Sequence, residues 1–206
     1  MNFKKIAIRT VAVVAAIFIV LVIIRMVHFY NLGKTNEQVA KIHATKLTLD
    51  DVMGKNLPPD PGEEADKTVA GVDVNENGIR DDVELAIFKA YPDSAKTRAV
   101  LLQYALALQM EFTQEGVNEK TVTEIITKQS RADSCISDTL VPRESAESTR
   151  EYSDIQKINT FINFVKDKQI NTEDRKKARQ DFTKHLRSYG ESESSVCDID
   201  SSALSS

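Results

Sequence analysis

The chain is poor in the residue types that most site chemistry uses. Histidine occurs three times and cysteine twice in 206 residues. There is no CxxC, no CxxCH, no glycine-rich phosphate loop and no nucleophile motif. The familiar frameworks for redox, haem, nucleotide and acyl-transfer chemistry are therefore missing. His28 follows an apolar run, His43 lies in a polar segment, and only His185 falls in the helical region. Asp181 and His185 stand one helical turn apart and read as a solvated surface pair. The run EDRKKARQD (173–181) reads as a solvated helix face with i,i+4 pairs. No catalytic residue is assigned. Beyond residue 84 convincing strand alternation is also absent, which points to an all-α fold.

Acidic residues are missing from positions 1–30, which carry Lys4, Lys5, Arg9 and Arg25. Taking these four from 27 leaves 23 basic against 31 acidic residues, so the remainder is net −8. Residues 50–84 hold eleven acids against Lys55, Lys67 and Arg80, again −8. Nearly all the excess negative charge sits in that window. Such a surface repels nucleic-acid phosphates and attracts cations, so no nucleic-acid partner is expected.

Val11 to Ile24 is unbroken apolar sequence, and apolar character resumes after Arg25. A helix from Ile6 to Tyr30 would be about 37 Å long, enough to span a bilayer. Arg9 and Arg25 can snorkel to opposite interfaces, and Phe29 and Tyr30 suit the aromatic belt. RMVHFYNLG offers no small-residue cleavage site, and no cysteine follows for a lipid anchor. Residues 1–30 therefore read as an uncleaved signal anchor; the alternative is an exported soluble protein after signal-peptide cleavage. The flanking charges nearly tie under the positive-inside rule. A very short basic N-terminus stays in the cytoplasm, which sets residues 31–206 outside it, periplasmic in a bacterium with two membranes. There, Cys135 and Cys197 can form one disulfide worth about 4 kcal/mol by loop closure. Two unrelated thiols are the alternative.

Residues 31–62 read as a stalk. A short polar helix is expected over Thr35 to Leu47, a capping-box start at Thr48 with Asp51, then a stiff segment at Pro58, Pro59 and Pro61. Residues 63–190 then predict a small bundle of about five helices. The first, DDVELAIFKAY, is ended by Pro92. The second is capped by Asp93 or Ser94 and stops near Gly116. A third runs from Asn118 to Thr139, with Val122, Ile125, Ile126, Ala132 and Cys135 inward. The fourth carries Tyr152, Ile155, Ile158, Ile162 and Val165, spaced three or four apart along one apolar face. The fifth opens at Asn171 or Thr172 and carries Ala178, Phe182, Leu186 and Tyr189 before Gly190. The Ser-rich tail 191–206 is expected to be disordered apart from Cys197.

One stretch, GVDVNENGIRDDVE (71–84), carries most of the functional signal. Counted from Asp73, side-chain oxygens fall at positions 1 (Asp73), 3 (Asn75), 5 (Asn77), 9 (Asp81) and 12 (Glu84). Gly78 sits at the sharp turn, and Ile79 at position 7 can offer its carbonyl. Alternate residues of a tightly wound loop point at one centre, and a glutamate in the next helix closes the shell. The pattern resembles the EF-hand calcium loop, D-x-[DN]-x-[DN]-G-x₅-E. The bland alternative is an Asx-rich turn at Asn77-Gly78. Arg80 replaces the hydrophobic residue by which paired EF-hands bridge, and no second loop exists. The stretch is thus similar to the lone loops of dockerins and thrombospondin type 3 repeats. With anchor and proline stalk, the chain also resembles a group of uncharacterised exported bacterial proteins, a likeness that carries no activity. The resemblance implies calcium as the bound ion. Three charged ligands and two neutral amides suit a dissociation constant of roughly 10⁻⁵–10⁻³ M, the range of extracellular modules. The functional expectation is a membrane-anchored extracytoplasmic module that calcium orders for a partner protein in the cell envelope. A cell-envelope enzyme or hydrolase accessory is the other class.

Overall fold

The computed structural model describes residues 3–145, 148–187, 196–200, 202, 204 and 205. Among them the regular structure is entirely helical: seven α-helices and one 3₁₀ turn, Gly62–Asp66, with no strand. An apolar helix leads into a small helical bundle, as the periodicity predicts.

Helix α1, Phe3–Ala44, is a single rod of 42 residues, about 63 Å long at helical rise. It is long and apolar enough to cross a membrane, with mean hydropathy 2.9 over its most apolar window and none of that window buried. Its last turns do not form a free stalk. Val39 and Ile42 are buried, Asn118 donates to the Thr35 hydroxyl at 3.2 Å and Gln114 to Gln38 at 2.6 Å. His43 meets Glu124 at 2.7 Å, and Lys128 donates to the Thr45 carbonyl at 2.6 Å. The polar stretch after Tyr30 that reads as a spacer is amphipathic enough to pack on the bundle. Helix α2, Leu49–Met53, opens with the expected capping box, Thr48 and Asp51 exchanging bonds, and ends on Gly54 at φ +68°.

Helix α3, Asp81–Ala90, stops at Tyr91 before Pro92. Helix α4, Ala95–Thr113, is capped by Ser94 and buried nearly all round, polar residues included. It is the axle of the bundle. A helix enclosed on every side needs neighbours on every side, and α4 has them in α2, α3, α5, α6 and α7. Helix α5, Glu119–Leu140, is capped by Asn118 and buries Val122, Ile125, Ala132, Cys135 and also Ile136; Ile126 is partly buried against the core. Helix α6, Tyr152–Gln169, buries Ile158 and Val165. Tyr152 and Ile155 are exposed (75% and 44%), so α6 joins the core only after its first turn.

Helix α7, Glu173–Thr183, starts at Thr172 but ends earlier than the pattern suggests. Leu186 still packs on the core; Tyr189 and Gly190 lie outside the described residues. The charged run 173–181 is not wholly a solvated face. Arg175 within it is completely buried, donating to the carbonyls of Ala65, Thr68 and Val69 and to Asp66.

The Ser-rich tail also departs from expectation. Val196, Cys197, Ile199 and Leu204 pack on the core. Cys135 and Cys197 form a disulfide, Cα atoms 5.1 Å apart. Gln103 grips the tail backbone from both sides, donating to the Val196 carbonyl (3.0 Å) and accepting from the Asp198 amide (2.8 Å). Asp198 accepts from the Leu47 amide and pairs with Arg131 at 3.0 Å. Composition alone marks this tail as unable to fold; the cross-link lowers the entropy cost enough for three apolar side chains and one carboxylate to hold it.

Candidate metal centre

The loop between the 3₁₀ turn and α3 is wound by its own side chains. The Asp73 carboxylate accepts from the amides of Asn77 (3.2 Å) and Gly78 (2.9 Å). The Asn75 oxygen takes the Asn77 amide at 3.4 Å, and the Asn77 oxygen takes the Ile79 amide at 2.9 Å. Glycine is required at position 78: φ is +83°, and a Cβ there would stand 2.8 Å from Leu106 Cδ1. Glu76 beside it adopts φ +57°. The Asp81 amide donates to the Val72 carbonyl at 2.9 Å, tying the loop's entrance to the helix it feeds.

Three of the six expected ligands meet through side chains, and a fourth, Asp73, reaches them only through the backbone. Asn75 Nδ2 and Asn77 Nδ2 each donate to the Glu84 carboxylate at 3.1 Å, and Asp73 holds the backbone of the same turn. Asn75 Nδ2 also donates to the Asn56 carbonyl at 2.9 Å, joining the proline segment to the site. Ile79 is buried, its amide bonded to Asn77. Asp81 is differently engaged: its carboxylate turns back on the Val74 amide at 3.1 and 3.2 Å. Among the described residues no group of three or more His, Cys, Asp or Glu side chains converges as a metal site. Two of the would-be ligands are amides and one is a carbonyl, and the three acids are satisfied by the loop itself.

Burial makes this satisfaction incomplete. Glu84 is 1% exposed, and desolvation pushes its pKa up to about 7 against the pull of the Asn75 and Asn77 amides. Burial likewise raises Asp73 and Asp81 above the usual carboxylate range, against the backbone amides of Gly78, Asn77 and Glu76 for the first and Val74 for the second. A buried carboxylate on neutral donors alone is held against its desolvation cost. Turning the Asn75 and Asn77 oxygens toward Glu84 would give up the bonds they accept from the Asn77 and Ile79 amides, so a cation there would have to replace those contacts as well. A cleft of 320 Å³ opens beside the loop, where Asp73, Glu76 and Asn77 face Lys41, Ile42 and Met110.

Arg80, at the position where the loop departs from paired EF-hands, does structural work that sequence reasoning missed. It is completely buried, and none of its hydrogen bonds goes to Asp73, Asp81 or Glu84. It forks onto Asp82 and donates to the Lys168 and Gln169 carbonyls at 2.6 and 3.1 Å. Those carbonyls belong to the end of α6, where a cation meets the negative end of the helix dipole. Gly71 makes room: at φ +74°, its Cβ would stand 2.3 Å from Arg80 Cδ. The signal was an arginine at position 8, followed by two acids, in place of an apolar bridge.

A second polar group lies inside the bundle. Glu111 accepts from Gln129 at 2.8 Å and stands 3.5 Å from Arg179 Nε. Burial pushes Glu111 and Asp133 up, while Arg179 and Lys166 oppose the shift. Asp181 pairs with Lys184 at 2.6 Å on the exposed face of α7. Comparisons with protein-family models, with curated proteins and with solved structures find no match for this chain.

Proposed function

We propose that the chain is a single-pass, membrane-anchored module whose helical domain lies outside the cytoplasm. In this reading loop 73–84 binds calcium and thereby fixes the bundle for a partner protein of the cell envelope. The observation that carries the reading is the convergence of Asn75 and Asn77 on the buried Glu84, inside a turn wound on Asp73. A divalent cation would take the place of the amide donors. Asp73, Asn75, Asn77, Asp81, Glu84 and the Ile79 carbonyl would supply the oxygens, within the six to eight that calcium takes. Asp81 would have to leave the Val74 amide. The role is structural: the loop is unpaired, and it joins the proline segment, α3 and, through Arg80, the end of α6. The disulfide supports an oxidising compartment.

Calcium titration calorimetry on the oxidised full chain in detergent tests the reading. Saturable heat at roughly 10⁻⁵–10⁻³ M calcium that Glu84→Gln abolishes is the expected result. No heat from either protein at millimolar calcium would reduce the loop to an acidic turn.

The enzyme reading has one supporting observation, the raised carboxylates Glu111 and Asp133 near Lys166 and Arg179. The Glu111 side chain has no solvent exposure, so a substrate reaches it only if helices part. The structural module is the better reading.

A further inference from the structure

The junction of α1 with the bundle sets the height of the domain above a membrane. Because α1 is unbroken from Phe3 to Ala44, distances along it are fixed by helical rise. Thr35, which accepts from Asn118, lies five residues beyond Tyr30, about 7.5 Å along the axis. The headgroup layer beyond the hydrocarbon is about 5–8 Å thick on each side. The turn joining α4 to α5, residues 114–118, therefore stands at the outer edge of the headgroups, and any tilt of α1 can bring it lower.

Three further hydrogen bonds along α1 define the direction of the rest. Asn36, His43 and Thr45 meet Lys120, Glu124 and Lys128 in turn, so α5 climbs away from the membrane beside α1. Its 22 residues carry the far end about 33 Å up. Arg150, just before α6, binds the Val141 carbonyl and Asp138 there, so Tyr152 marks the distal end. At the near end, Val117 is exposed at the tip of the turn. Beside it a 480 Å³ cleft is lined by Asn31, Lys34, Gln38, Glu115 and Asn118. A cation and an anion face one opening at headgroup height, flanked by amides.

We propose that this end of the bundle is a lipid-docking face, whose cleft holds a zwitterionic phospholipid headgroup. Its phosphate lies on Lys34 with the Asn31 and Asn118 amides, and its ammonium on Glu115. Val117 enters the interface beside it. The domain then rests on the bilayer, and the calcium loop, which meets α1 near Thr45, is held well above it. This rests on the reading of α1 as a membrane anchor, and the test separates the two.

The chain has no tryptophan, so single reporters at Ile19→Trp, Val117→Trp and Tyr152→Trp can be read alone. Each full-length variant is reconstituted in phosphatidylethanolamine–phosphatidylglycerol vesicles. Each is then quenched by nitroxide lipids labelled on the headgroup or on the acyl chain. Acyl-chain quenching at Ile19→Trp is expected from the anchor; its absence overturns both readings. Headgroup quenching at Val117→Trp, with none at Tyr152→Trp, is the expected signature of docking. It should fall severalfold when Lys34→Glu is added or when phosphatidylethanolamine is replaced by phosphatidylglycerol. A quenched Ile19→Trp with unquenched Val117→Trp overturns the docking face alone. Headgroup quenching indifferent to both changes overturns the zwitterionic cleft.

Discussion

Replacing Gly71 by alanine, beside the same change at Gly62, tests how the loop is attached to the bundle. Both glycines sit at positive φ, +74° and +54°, where an L-residue costs about 1–2 kcal/mol. At Gly62 nothing lies within 4 Å of the new methyl, so that cost is the whole effect. At Gly71 the methyl would meet Arg80 Cδ at 2.3 Å, Cγ at 2.8 Å and the Ala65 carbonyl at 3.1 Å. These are mid-chain atoms of a completely buried side chain, so Arg80 must withdraw and give up the Lys168 and Gln169 carbonyls. Each bond from a charged donor contributes about 1.5–3 kcal/mol, so Gly71→Ala should cost about 3 kcal/mol more than Gly62→Ala. For a chain of this size 1 kcal/mol is about 2–4 °C, which separates the two melting temperatures by about 10 °C. Far-UV circular dichroism of the full chain in detergent, melted without calcium, reads the difference. Melting temperatures within about 2 °C of each other would refute the Arg80 clamp.

The remaining predictions concern pH, a second arginine and the disulfide. Burial raises Glu84 from 4.5 to about 7. The folded state therefore holds a proton that the unfolded state has lost, and without calcium the stabilisation is full below pH 4.5. It is lost as pH rises toward 7, about 3 kcal/mol in all. Melting temperature against pH should show this decline in the parent and a flatter profile in Glu84→Gln; parallel profiles would contradict it. Calcium at millimolar concentration should offset the decline in the parent only, as any ligand of the folded state does. Arg175→Met leaves three buried carbonyls without their donor and should lower the melting temperature by about 10 °C, from a cost of roughly 3 kcal/mol or more; a change under about 2 °C would show that water replaces it. Cys135→Ser with Cys197→Ser should cost about 4 kcal/mol in thermal melts and open the tail to proteolysis; an unchanged digestion pattern would show that Gln103 and Arg131 hold the tail alone.

What could be read from the chain divides by how local its cause is. Helix starts were legible because a cap is a short-range device: Thr48, Ser94, Asn118 and Thr172 all accept an amide two or three residues on. The core face of α5 followed from periodicity, whereas α4, enclosed on every side, has no single face for a period to mark. Tyr152 and Ile155 share the apolar spacing of α6 yet lie exposed, because a periodic face says nothing about where its neighbour begins. Arg80 and Arg175 could not be found by pattern, since each is buried by carbonyls that the chain brings from about a hundred residues away. The spacing of the loop residues was legible, and the structure winds the turn on Asp73, a geometry that an Asx-rich turn shares with a cation loop. The Asp81 carboxylate's turn toward Val74 was not, because the competing donor is a backbone amide that carries no sequence signature. The docked tail was hidden for the opposite reason: its composition is polar, and only the cross-link at Cys197 and the partners of Asp198 reveal that it has a place.

The most direct test of calcium at this loop is an amide spectrum of the full chain in detergent, labelled with ¹⁵N at glycine only. The seven glycines give seven probes. Gly78 donates to the Asp73 carboxylate at 2.9 Å, whereas Gly33 lies on α1 with nothing within 4 Å of its Cβ position. Calcium binding requires a saturable shift of the Gly78 resonance at roughly 10⁻⁵–10⁻³ M calcium, lost in Glu84→Gln, with Gly33 unmoved. All seven resonances standing still at millimolar calcium would contradict it, leaving a loop held by its own hydrogen bonds.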